Sequence, residues 1–89
     1  PSGSKSEWRD ATGTVQLIEV HLHASWYGEA ASLIETNTKA RVAFITRLGE
    51  ALIPDEHTVL QEGDLVHVIA AENEIANIEK TLAKSPDGN

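Results

Sequence analysis

Three groups of side chains in this sequence have the type and spacing to do chemistry. His21 and His23 stand two apart, with Glu19 two residues before them, and on an extended strand that spacing turns all three to one face. Two imidazoles and a carboxylate so placed offer ligands to one metal ion; the same face also suits a plain polar surface or a seam between copies. A second group, Asp55, Glu56, Glu62 and Asp64, falls near turns. It lacks the alternating one-three-five spacing of a calcium loop, and Asp64 reads better as a turn residue bonding backbone amides. The third group is two separate histidines. His57, in the turn after Pro54, could hydrogen-bond a phosphate or a base, whereas His67 shares a face with Leu65 and Ile69 and reads as a satisfied core or seam histidine. The balance of these readings leaves no metal centre expected. Nucleophilic catalysis needs a Ser, Thr or Cys set against a base that a third group holds. No such elbow is present, and paired carboxylates have no convincing cleft in so small a chain, so no enzyme is expected.

The whole chain limits what can position these groups. Eighty-nine residues make one domain at most, with fourteen acids against seven bases and a net charge of −7. A chain this short hides only about 60–65% of its unfolded surface, so its core is marginal unless a partner adds to it. With no Cys there is neither a disulfide framework nor a thiolate metal site. No apolar run approaches the ~18 residues of a membrane span, and no signal-peptide core is visible. Between Thr14 and Lys84 eleven acids face five bases, an acidic balance that argues against binding a phosphate backbone, so no nucleic-acid partner is expected. Pro at position 1 and the absence of Met suggest a processed chain or a piece of a longer one.

Hydrophobic periodicity divides the sequence into elements. Residues 1–13, rich in Ser, Gly and charge, read as a flexible linker, and residues 85–89 as a flexible tail behind Pro86 and Gly88. Val15–His23 alternates and predicts a half-buried strand. Gly28–Thr36 places Ala30, Leu33 and Ile34 at helical spacing, with Asn37 to end the helix. Ala40–Arg47 is apolar on both faces in its middle and predicts a central strand. Ala51–Ile53 is a short strand closed by Pro54, and Thr58–Leu60 is briefly extended. Gly63-Asp64 turns into the buried strand Leu65–Ala71. Asn73–Lys84 carries the stripe Ile75, Ile78, Leu82 of a closing helix. The sum is an α+β domain in β-α-β-β-β-α order, a small mixed sheet of four to five strands with two helices. Two helices are too few to cover both faces, so a second copy is expected to cover the remainder. Trp26 and Tyr27, at the strand-to-helix corner, suggest a satellite core or a contact surface, with contact favoured.

As an ordered pattern the core resembles the C-terminal domain of the regulator of potassium conductance family, the TrkA C-terminal or RCK C-terminal domain. The resemblance rests on Val15, Ile18 and Val20 leading into Ser25 and Gly28, then Leu33. An apolar strand closing in Arg47 and a Gly49 turn follow, then Ile53-Pro54, Gly63-Asp64 before an apolar strand, and the Ile75, Ile78, Leu82 helix. It covers about residues 14–84.

The resemblance implies a cytoplasmic regulatory domain, peripheral to the inner membrane through a transmembrane potassium channel or transporter subunit. It implies pairing with a second copy, and a nucleotide-binding Rossmann domain in the parent protein; no glycine-rich fingerprint of one exists in this chain. In some members the cleft between copies holds cyclic di-AMP, and others bind divalent cations. Carried onto this sequence, the ligand-binding positions are Arg47, Arg41, His57, Val42, Ala43, Ile53 and Pro54. Arg47 would meet a phosphate, a planar fork matching two oxygens, with Arg41 assisting from the face of Ala43 and Ile45. Ligand-binding relatives carry larger aliphatics at Ala43 and a polar amide at Ile53. A strand-end guanidinium is expected to contribute little to the core. The alternative reading is an oligomerisation or partner-binding scaffold with no small ligand, or a version that senses divalent cations.

Overall fold

The computed structural model describes residues 4–89; residues 1–3, the head of the expected linker, lie outside them. The elements are β1 (Ser4–Arg9), β2 (Val15–Val20), a 3-10 turn (Ala24–Trp26), α1 (Ser32–Asn37), β3 (Arg41–Arg47), β4 (Glu50–Leu52), β5 (Leu65–Ala71), a second 3-10 turn (Glu72–Glu74) and α2 (Ile75–Leu82). The strands form one sheet in the order β1-β2-β5-β3-β4. The α+β architecture with two helices is the expected one, but every pairing is antiparallel rather than mixed. β2 and β3 run parallel to each other, joined by a crossover through α1, and β5 fills the place between them in the opposite direction, so every neighbouring pair is antiparallel.

Alternation along the two innermost strands separates the faces. Gln16, Ile18 and Val20 of β2 stand opposite Ala70, Val68 and Val66 of β5, and all six are buried. Ile34 of α1 and Ile78 and Leu82 of α2 close over this side, with Trp26, Leu60 and Ile45 completing the core. Val15, Leu17 and Glu19 face the other way, opposite Ala71, Ile69 and His67. No helix is placed over that second face among the described residues, and it presents Trp8 and Leu65 about half exposed, at 52% and 46%.

Residues 4–9, expected as linker, instead form the edge strand β1, paired with β2 from Ser4↔Val20 to Arg9↔Gln16. A polar, charged edge carries no alternation to read, because main-chain pairing rather than burial holds it. The turn that returns it to β2 is built on Asp10, whose carboxylate accepts the backbone N–H groups of Thr12, Thr14 and Val15. The Thr12 hydroxyl and these amides hold the Asp10 carboxyl down at about 2. At the other end, residues 85–89 close in a turn rather than trailing, with Gly88 N–H donating to the Ser85 carbonyl at 2.8 Å.

The β1–β2 and β3–β5 pairings each contain a bulge, at Glu7 in β1 and at Ala43 in β3. Each extra residue reverses the inside-outside alternation beyond it. Val42 therefore faces Val68 on the helix side, while Phe44 faces His67 on the open side and Ile45 returns to Val66.

Two bonds fasten the segment after β2 to the end of α2 and the residues just beyond it: His23 N–H donates to the Leu82 carbonyl at 2.8 Å and Trp26 Nε1–H to the Lys84 carbonyl at 2.7 Å. Trp26 is fully buried, a core residue rather than the favoured contact surface. Trp26→Phe keeps most of the aromatic bulk but strands the Lys84 carbonyl and leaves a small void. Thermal denaturation should show a loss of about 1–3 kcal/mol, on the order of 10 °C in midpoint for a domain of this size.

Candidate functional site

Arg47 ends β3 and reaches into the loop before β5. Its Nε and Nη2 each donate to the Asp64 carboxylate at 2.9 Å, a two-point pair, and Nη2 also donates to the Val59 carbonyl at 2.9 Å. Asp64 is further bonded by the Gln61 N–H at 2.8 Å, so it does hold its turn as expected. Its side chain is 1% exposed, that of Arg47 23%. The Arg47 bonds, foremost among the causes, hold the Asp64 carboxyl below its ordinary range and push the Arg47 guanidinium above its own. The expectation that this arginine adds little to the fold is thereby corrected: it locks residues 59–64 onto β3, because a loop carboxylate without it would be buried uncompensated.

The other ligand-binding positions divide into groups. Val42 and Pro54 line one groove of about 310 Å³ together with Ser32, Glu35, Asp55 and Glu56. Glu35 is already engaged, accepting the Val42 N–H at 2.7 Å. Asp55 is held below the ordinary carboxylate range by the His57 N–H and the Thr58 hydroxyl. Ile53 is 83% exposed, and His57 is exposed, its Nε2 3.4 Å from Glu56 Oε1. Arg41 stands opposite Ile69, in the register of the open face, and its residue contributes to a second groove of about 490 Å³ running between 35–40 and α2. The bulge at Ala43 keeps Arg41 on the side of Ala43 but not of Ile45, and puts it and Arg47 on opposite sides of the sheet. The β3–β4 hairpin turns through Leu48 and Gly49, both with positive φ (51° and 80°), and Leu48 is 98% exposed, a conformation L-residues rarely adopt.

The histidine readings also resolve. β2 ends at Val20, before His21 and His23, and His23 Nδ1 accepts the Ser25 N–H at 3.1 Å to cap the 3-10 turn, so the expected three-residue face with Glu19 does not form. His67 is buried, as expected, at 4% exposure. Its Nδ1 lies 2.5 Å from Glu7 Oε1 and its Nε2 3.1 Å from Thr46 Oγ1. Glu7 was hidden in the supposed linker; the one sequence signal was the Asp10-to-Gly13 turn between Trp8 and Val15.

The TrkA-C domain model matches residues 15–83. The chain belongs to the TrkA-C domain family. The Trk system potassium uptake protein TrkA of Streptomyces coelicolor is 53% identical over 87 residues, 98% of this chain and 39% of that protein. The chain thus spans about two fifths of the relative it matches. The crystal structure of the GsuK RCK domain superposes with a TM-score of 0.76 at 22% identity, over 96% of this chain and 19% of the other. The GsuK channel bound to NAD gives 0.74 at 21%, over 92% and 15%. At that identity the likeness concerns the fold.

For this TrkA-C domain, the Arg47–Asp64 pair sets an acid-side stability limit. Asp64 has a depressed folded value, so its stabilisation is full above its ordinary 3.8 and is lost as pH falls through the folded value. Asp64→Asn should lower the melting midpoint by on the order of 10 °C at pH 7. The gap to the wild type should narrow as pH drops below about 4, which calorimetry across pH 2–7 measures.

Proposed function

We propose that this domain is a cytoplasmic regulatory module of a potassium uptake system or channel, binding a small ligand between two copies and passing the change to a transmembrane partner. The observation that carries the reading is membership of the TrkA-C family together with 53% identity to a protein named as a potassium uptake TrkA. The role is regulatory rather than catalytic. The ligand favoured is cyclic di-AMP, one per dimer, since a ligand with two identical halves can make every contact twice across a two-fold cleft.

Arg47 supports this ligand by its fixed position. Asp64 and the Val59 carbonyl take the donors of Nε and Nη2, and Nη1 has no partner among the described residues, leaving a held guanidinium edge for a phosphate. Leu48, next to Arg47 in the hairpin, Val59, whose carbonyl it bonds, and Ile53, just after β4, are exposed at 98%, 45% and 83% and supply apolar surface for the second copy. Pro54 and Val42 line a groove together with Asp55 and Glu56, and His57 is the next residue in the chain.

Two measurements test the reading. Sedimentation at tens of micromolar should give a two-fold species that Ile53→Asp weakens; a monomer at millimolar concentration would remove the cleft. At a cyclic di-AMP concentration ~100 times its dissociation constant, stabilisation should reach roughly 2.7 kcal/mol, a midpoint rise of order 10 °C. Arg47→Lys, which keeps a cation near Asp64 but loses the fork, should abolish most of that rise. No rise in the wild type at millimolar ligand leaves the scaffold reading.

A further inference from the structure

The open face of the sheet holds a cluster that the nucleotide reading does not use. Glu7 of β1, Glu19 of β2 and His67 of β5 each bring one ligand atom to within 4.8 Å of the others. Three different strands converge on the point, and the β1 bulge falls at Glu7, where the local break in pairing re-aims the side chain across β2. We propose that Glu7, Glu19 and His67 form a binding site for a zinc-class divalent cation that ties β1 to the central strands.

The donor chemistry selects the ion. One imidazole nitrogen with two carboxylate oxygens suits a borderline cation such as zinc, with a fourth position left to water, whereas calcium asks for six to eight oxygens. Donors around tetrahedral zinc lie about 3.4 Å apart, given bonds of about 2.0–2.2 Å. Glu7 Oε1, now 2.5 Å from Nδ1, has to move outward by about 1 Å and Glu19 to close in by a similar amount, both within the rotamer freedom of a glutamate. The imidazole is already placed. Its Nε2 is bonded to Thr46 Oγ1 at 3.1 Å and its ring stacks on Phe44 with centroids 4.1 Å apart. This is the outer support that orients a ligating histidine and commits its other nitrogen to the ion. On entry the ion displaces the proton that now bridges Nδ1 and Glu7.

The two carboxylates of this face have no ion pair with a lysine or arginine among the described residues, although Lys5 stands opposite Glu19 and Arg41 opposite Ile69. The only partner described for either carboxylate is His67. Glu7 precedes residues 15–83, the part matched by the family model, while Glu19 and His67 lie inside it. Occupancy would therefore fix the chain entering the domain to its two central strands, a coupling the bare Glu7–His67 contact makes at one point only.

The test is titration of the chelator-treated protein with zinc chloride by calorimetry, and with cobalt(II) as a spectroscopic probe. One ion per chain is expected, with a midpoint rise of several °C at saturation, intense visible cobalt bands of a tetrahedral N/O site, and slowed hydrogen exchange of the β1 amides. Glu19→Gln and Glu7→Gln should each weaken binding about ten-fold or more. His67→Gln should remove the cobalt bands, and His21→Ala with His23→Ala should change nothing. Should the buried His67 variant not fold, half-buried Glu19→Gln decides the matter. No binding at 1 mM zinc, or binding lost with His21 and His23 but kept in Glu19→Gln, overturns the site. Neither result bears on cyclic di-AMP, whose test uses other residues.

Discussion

Two helices of six and eight residues cannot cover both faces of a five-stranded sheet, and the rest of the molecule follows from that shortage. The helices close over one side, so the residues there, Gln16 and Trp26 apart, are small or aliphatic and almost fully buried. The opposite side mixes apolar groups with ionisable ones. Where such a side still buries a polar ring, as at His67, the ring's two nitrogens must find partners within the sheet itself. They do so in Thr46 and Glu7, the second drawn from the edge strand two positions away.

The same economy governs Arg47. A guanidinium has five donors, and the fold uses three of them to hold Asp64 and the Val59 carbonyl. That partial neutralisation lowers the field an incoming anion meets, and Glu35, Asp55 and Glu56 around the adjoining groove lower it further. Net charge therefore cannot be the source of affinity for a phosphate here. For the proposed phosphate ligand, the pair would supply position: a side chain with long rotamer freedom is already fixed by the fold, so less ordering entropy would be lost on binding.

The sequence showed some of this and hid the rest for physical reasons. β2, β5 and α2 were legible because each buries one face, and burial leaves a period in residue type; Thr58–Leu60 was legible as an extended piece and pairs through the bridge Ala30↔Val59. β1 was not, since Ser4–Arg9 is held by main-chain pairing that any residue can make. The bulges at Glu7 and Ala43 carry no glycine or proline to mark them. An unmarked extra residue is enough to move Arg41 and Arg47 to opposite sides, which strict alternation would have kept together. Likewise Arg47 and Asp64 are seventeen residues apart, and only the pairing of β3 with β5 brings them into reach.

The edge strand has a mechanical consequence. β1 is fastened from both sides of the sheet: Glu7 meets His67 on the open face, while Ser4 bonds Glu79 of α2 and Arg9 pairs with Glu72 at 3.8 Å on the other. Gln16 of β2 bonds the same Glu72 carboxylate. A pull on the chain at residue 4 is therefore carried across a six-residue ladder into β2, and by side chains into β5 and α2, instead of being absorbed by a slack hinge. Since β2 and β5 share the buried row Ile18, Val20, Val66 and Val68, and close-packed rows shift as units, displacement of the entering strand and rearrangement of the helix-covered core are coupled through the same two strands.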